Sequence, residues 1–155
     1  MHLTLESAIA FINASLAPAV LFTGVGLLLA GLQAKYSTIV SVIRSLNRER
    51  RELESAAEGA RSERLATLGE QIHSLMRRAK LVRNSICSFY LTIFFLVGSS
   101  ILIGLRVLAI GVPIAVIFVF FGVALAVLFA GIAFATREAL LSYHIVKVEV
   151  KQWTA

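Results

Sequence analysis

The chain contains no aspartate; all nine of its acidic residues are glutamate. That absence removes the usual carboxylate of magnesium sites, aspartyl phosphates and many calcium loops. Cysteine is scarce as well. Cys87 alone cannot close an intrachain disulfide, and it reads as a small buried helix residue instead of a reactive thiol. Glycine-rich phosphate loops, paired-cysteine zinc motifs, HExxH runs and serine elbows are all missing. Gly24-Val25-Gly26 superficially resembles a nucleotide motif, but it lies in the middle of an apolar run, where helix packing explains it. His2, His73 and His144 are scattered and define no metal site. The expectation is a non-enzymatic protein with no catalytic residue, no cofactor and no metal.

What the chain does have is apolar sequence. Of its 155 residues, 58% are hydrophobic, and its mean hydropathy is +0.85, above what a soluble domain carries. A helix rising about 1.5 Å per residue needs about 20 apolar residues to cross the hydrocarbon core. Three charge-free stretches reach that length: Glu6 to Lys35, Arg83 to Arg106, and Arg106 to Arg137. Arg106 and Gly111-Val112-Pro113 mark a short turn between the last two. The predicted class is therefore all-α, with three transmembrane helices.

The first stretch is longer than one crossing requires, and Ser15-Leu16-Ala17-Pro18 falls inside it. Ser15 suits a helix cap, and Pro18 suits the first turn after it. The preferred division is an interfacial segment over 3–14 and a first span over 16–34, against the alternative of one helix kinked at Pro18. The other predicted segments are a cytosolic stretch over 35–84, a second span over 85–105, a third over 112–136 and a C-terminal tail over 137–155. The N-terminus has no Lys or Arg before its apolar run, so the first span is expected to be retained and not cleaved as a leader.

Positive charge exceeds negative by six, and most of it lies between spans one and two, whereas the opposite side offers only Arg106. Such asymmetry places the basic segment and the C-terminus in the cytosol and the N-terminus outside. It accounts for the charge without nucleic acid as a partner. Arg77, Arg78, Lys80 and Arg83 gather just before span two, where they serve as an orientation signal and are also candidate contacts for anionic lipid head groups.

The basic segment is patterned. Leu65, Leu68, Ile72, Leu75, Ala79, Val82 and Ile86 alternate in steps of three and four into span two, and Ile39, Val42, Leu46 and Leu53 form a weaker seam after span one. No proline interrupts Lys35 to Arg83, and Ser55-Ala56-Ala57-Glu58-Gly59 is the best turn. The pattern predicts a cytosolic antiparallel helical hairpin, a coiled coil with Arg48 to Glu54 on its solvated face.

Within the membrane, small residues recur in register. Ala10, Ala17, Gly24 and Gly31 repeat every seven residues in span one, and Gly122, Ala126 and Ala130 every four in span three, predicting helix-packing faces. Span two carries Ser85, Ser88, Thr92 and Ser99 on one stripe. Its plainer reading is hydroxyls bonded to carbonyls or neighbouring helices; its functional reading is the wall of a polar, uncharged pore. After Arg137-Glu138 a helix is expected to continue, and Ile145 to Lys151 fits either a short strand or a helix face, with Trp153 as an interfacial anchor.

The stretches SLAPAVLFTGVGLLLAGLQAKYSTIVSVIRSLNRER, from Ser15 to Arg50, and RRAKLVRNSICSFYLTIFFLVGSSILIGL, from Arg77 to Leu105, resemble a family of small bacterial integral membrane proteins catalogued as a domain of unknown function. The resemblance implies a bacterial plasma (inner) membrane and supplies no activity. The functional expectation is a homo-oligomeric assembly or scaffold module, in contact with membrane lipids and with a cytosolic or membrane protein as partner. The competing expectation is a homo-oligomeric ion channel lined by the hydroxyl stripe.

Overall fold

A computed structural model describes the backbone of residues 5–55, 61–108 and 111–153, and their side chains except 6–8, 10, 14, 17, 61–63 and 144–153. Three α-helices account for nearly all of it: α1 (Leu5–Ser55), α2 (Arg61–Val107) and α3 (Ile114–Trp153). Each contains a segment long and apolar enough to cross a membrane. Only 11% to 22% of the most apolar window of each is buried within the chain, so the apolar surface points outward, as it does when the surroundings are lipid.

α1 runs through Pro18 without a break, so the boundary expected between 3–14 and 16–34 is not a helix boundary. Ser15 does not cap; its hydroxyl is buried with no partner. Proline in a helix removes one backbone hydrogen bond, whereas ending the helix within hydrocarbon would strand several backbone groups at several kcal/mol each. At 51 residues α1 is about 76 Å long, more than twice the hydrocarbon thickness. The expected turn over Ala56 to Gly59 lies outside the described residues.

α2 stops at Val107, ahead of the predicted turn. Pro113 disfavours helical backbone at Val112, and the Arg106 guanidinium donates to the Val112 carbonyl at 2.6 Å across that turn. α3 then begins at Ile114, with the Val116 amide donating to the Pro113 carbonyl at 3.1 Å. The C-terminal segment is helix as far as Trp153, which settles its strand-or-helix alternative for helix.

Contacts divide the chain into two compact units. One comprises Met1–Gly31 and Ile86–Ile132; the other comprises Leu32–Ser85 and Ala133–Ala155. In the first, the core is built from Val25, Leu29, Phe89, Leu96 and Ala124; in the second, from Ile39, Leu68, Ala79 and Val82.

Candidate functional site

The row that organises both cores is on α2. Val82, Ser85, Phe89, Thr92, Leu96 and Ser99 follow one another in steps of three and four, and none is more than 1% exposed. The apolar residues of the seam from Leu65 to Val82 continue this row toward the start of α2, and all are buried or half-buried. On α1, Ile39 is buried and Leu46 and Leu53 are half-buried, whereas Val42 is exposed and Ile43 is half-buried in its stead.

The hydroxyl stripe belongs to the same row. Ser85, Thr92 and Ser99 are buried inside the chain and Ser88 is half-buried. Thr92 Oγ1 donates to the Ser88 carbonyl at 3.0 Å, and Ser99 Oγ to the Leu96 carbonyl at 2.8 Å. These are bonds within α2 itself, the pattern by which hydroxyls are accommodated in a membrane helix without water.

The small residues take positions that sequence did not foresee. Gly24, Gly31, Gly122 and Ala126 are exposed, and a methyl group built on any of the three glycines meets nothing within 4 Å. The Ala17 side chain lies outside the described residues. The inward face of α1 is instead Pro18, Val25 and Leu29; Val25 follows Gly24 by one residue and so lies about 100° round from it. On α3 it is Ala124, Gly131 and Glu138, spaced by seven. A methyl group at Gly131 would approach Phe89 to 2.6 Å and the Ser88 side chain to 3.1 Å, so only glycine fits there. Gly98 is similarly close to Phe120, at 3.1 Å, and Phe120 meets Phe95 edge-on with ring centres 5.5 Å apart.

In the second unit the same α3 row ends in charge. Glu138 is 1% exposed and pairs with Lys35 of α1 and, at 3.2 Å, with Arg78 of α2. Arg78 also donates to Ser142 Oγ at 2.7 Å. One ionic junction thus joins all three helices, and the segment read as a C-terminal tail supplies its carboxylate. Burial of an unpaired carboxylate would cost several kcal/mol; two cations and their hydrogen bonds offset that cost. Sequence reasoning missed this junction because its members lie 60 and 103 residues apart.

The junction also changes the reading of the basic cluster. Arg78 points inward and is occupied, so it is not available to a head group. Arg77, Lys80 and Arg83 are exposed and line a groove with Arg44, Tyr36 and His73. Elsewhere the charges pair among themselves: Arg48 with Glu52, Arg50 with Glu54, and Arg64 with Glu49 across α1 and α2.

No curated protein and no solved structure matches the chain. A family model described as a protein of unknown function, DUF2721, matches residues 15–148, which takes in all three apolar segments, the hydroxyl row and the Lys35–Arg78–Glu138 junction. The chain belongs to the DUF2721 family.

Proposed function

We propose that the protein is a non-enzymatic membrane assembly module that associates with further copies of itself through the outward glycine faces of α1 and α3. The observation that carries this is the open space at Gly24, Gly31 and Gly122. Close helix approach in lipid depends on small residues, because no hydrophobic force drives apolar helices together there. The contacts within the chain use a different set, Ala124, Gly131 and Gly98, which leaves the outward set for a second copy.

In this reading the protein sits in a bacterial plasma membrane, with the basic segment between α1 and α2 in the cytosol. The ends of α1 and α2 form an antiparallel coiled-coil hairpin reaching about 30 Å from the bilayer, with Glu49 and Arg64 paired across it. Its charged outer face offers a surface to a cytosolic partner. A channel lined by Ser85, Ser88, Thr92 and Ser99 would need those hydroxyls on an open lumen. The burial of Ser85, Thr92 and Ser99, and the carbonyl bonds of Thr92 and Ser99, support a packing role instead.

Subunit counting by single-molecule photobleaching in native membrane vesicles tests the proposal. Wild type is expected as a dimer or larger, and G24L/G31L or G122L as monomer with unchanged helix content. Wild type found only as monomer, without partners on cross-linking, overturns it.

A further inference from the structure

The described cations fall into three groups. Arg137 stands alone, exposed past the third apolar run, with no ion pair among the described residues and no place in the groove between α1 and α2. Lys35, Arg48, Arg50, Arg64 and Arg78 each face a carboxylate, while Arg51 and Arg106 donate to backbone carbonyls. Arg44, Arg77, Lys80 and Arg83 form no ion pair among the described residues, and all four line one groove of about 930 Å³ between α1 and α2. No carboxylate among the described residues lines it. Its remaining wall is largely apolar, with Val40, Ile72 and Met76 among the contributors. The groove therefore offers concentrated positive charge beside greasy surface.

We propose that this groove binds an anionic phospholipid bearing two phosphodiester groups on one head group. Three observations support that occupant. Arg83 is the last charge before the apolar run of α2, with Lys80 and Arg77 about 4.5 and 9 Å further along the helix axis. That span matches the head-group layer of about 5–7 Å, extended by the reach of long cationic side chains. Four unneutralised cations exceed what one phosphodiester balances, so two phosphates on one molecule fit the charge better. The apolar wall accepts glycerol and the upper acyl carbons, which a free phosphate or an acidic peptide would leave unfilled. Basic pockets of this kind beside membrane helices bind such head groups by combined charge and contact.

Native mass spectrometry of the full chain in mild detergent tests the assignment, and in detergent any change in membrane orientation is irrelevant. The probes are cardiolipin, phosphatidylglycerol at twice the concentration to equalise phosphate, inorganic phosphate and polyglutamate. Cardiolipin is expected to be retained in preference to phosphatidylglycerol. R77Q/K80Q should weaken it about 25-fold, at about fivefold per cation, while R48Q/R50Q, with the same loss of charge, should leave it within twofold. Equal loss in both variants, or no preference for cardiolipin, overturns the proposal. So does displacement of cardiolipin by millimolar inorganic phosphate, or binding of polyglutamate without lipid.

Discussion

The two compact units are closed by different chemistry along the same rows of helix. α2 presents one three-four row to both, and α3 presents Ala124, Gly131 and Glu138 at intervals of seven. In the unit of Met1–Gly31 and Ile86–Ile132, the row closes by absence of bulk, with Phe89 lying where a side chain on Gly131 would be. In the unit of Leu32–Ser85 and Ala133–Ala155, it closes by charge, with Glu138 held between Lys35 and Arg78. The difference follows from what can hold helices together in each setting. Apolar helices in lipid gain from contact alone, whereas a junction rich in Lys and Arg gains from a carboxylate that neutralises them.

The comparison breaks first at Glu138. Glu138→Gln leaves Lys35 and Arg78 around a neutral amide, and because Lys35 is 39% exposed and can rehydrate, the expected loss is about 2–3 kcal/mol. Hydrogen exchange should report it, with protection falling around Ile39, Leu68 and Ala79 and persisting around Phe89 and Leu96. Combining Glu138→Met with Lys35→Met and Arg78→Met should restore most of the stability, since removing the whole ionic cluster leaves no stranded charge. Uniform loss across both units in the single variant would mean that the junction does not hold its own unit in particular.

The other unit has its own weak point in Gly131. Gly131→Ala forces a methyl group against the buried Phe89 ring, an overpacking expected to cost about 1–3 kcal/mol in a thermal or denaturant titration in detergent. Phe89→Leu in the same chain should recover part of that loss. Gly122→Ala, built into open space, should be neutral or stabilise the helix by up to about 1 kcal/mol. If Gly122→Ala proves as harmful as Gly131→Ala in the monomer, the inward and outward faces have been exchanged.

How much of this was legible in the sequence depended on contrast. The α2 seam from Leu65 to Val82 stood out because apolar residues alternate there with charged ones. Beyond Ile86 nearly every residue is apolar, the period disappears, and only the hydroxyls of Thr92 and Ser99 mark the buried row. On α3 the run Gly122, Ala126, Ala130 was more conspicuous than Ala124, Gly131, Glu138, yet the second faces inward. The spacing of seven, continuous with a charge just past the span, was the available clue. The Glu138 junction had no local signal, since Lys35 is 103 residues distant. Pro18 is visible in the sequence, but it does not end α1, because hydrocarbon penalises a helix end more than the one hydrogen bond proline removes.

The hydroxyl row should tolerate change. Thr92→Val and Ser99→Ala each remove a bond within α2 and preserve shape, so stability should fall by about 0.6 kcal/mol. A loss several times larger would indicate that these hydroxyls reach another helix.

The smallest effect belongs to ion pairs that resemble the Glu138 junction in chemistry but not in burial. Arg48 and Glu52 lie at i and i+4 with side chains 81% and 68% exposed, and with the cation on the N-terminal side, the less favourable order along a helix. Arg48→Ala should therefore shift stability by less than about 0.5 kcal/mol, and 0.5 M salt should abolish even that, because exposed charges are screened within a few ångströms. The loss in Glu138→Gln should survive the same salt, since its carboxylate is 1% exposed and Arg78 only 20%. Measured together, the two variants separate charge that decorates a helix from charge that joins three of them.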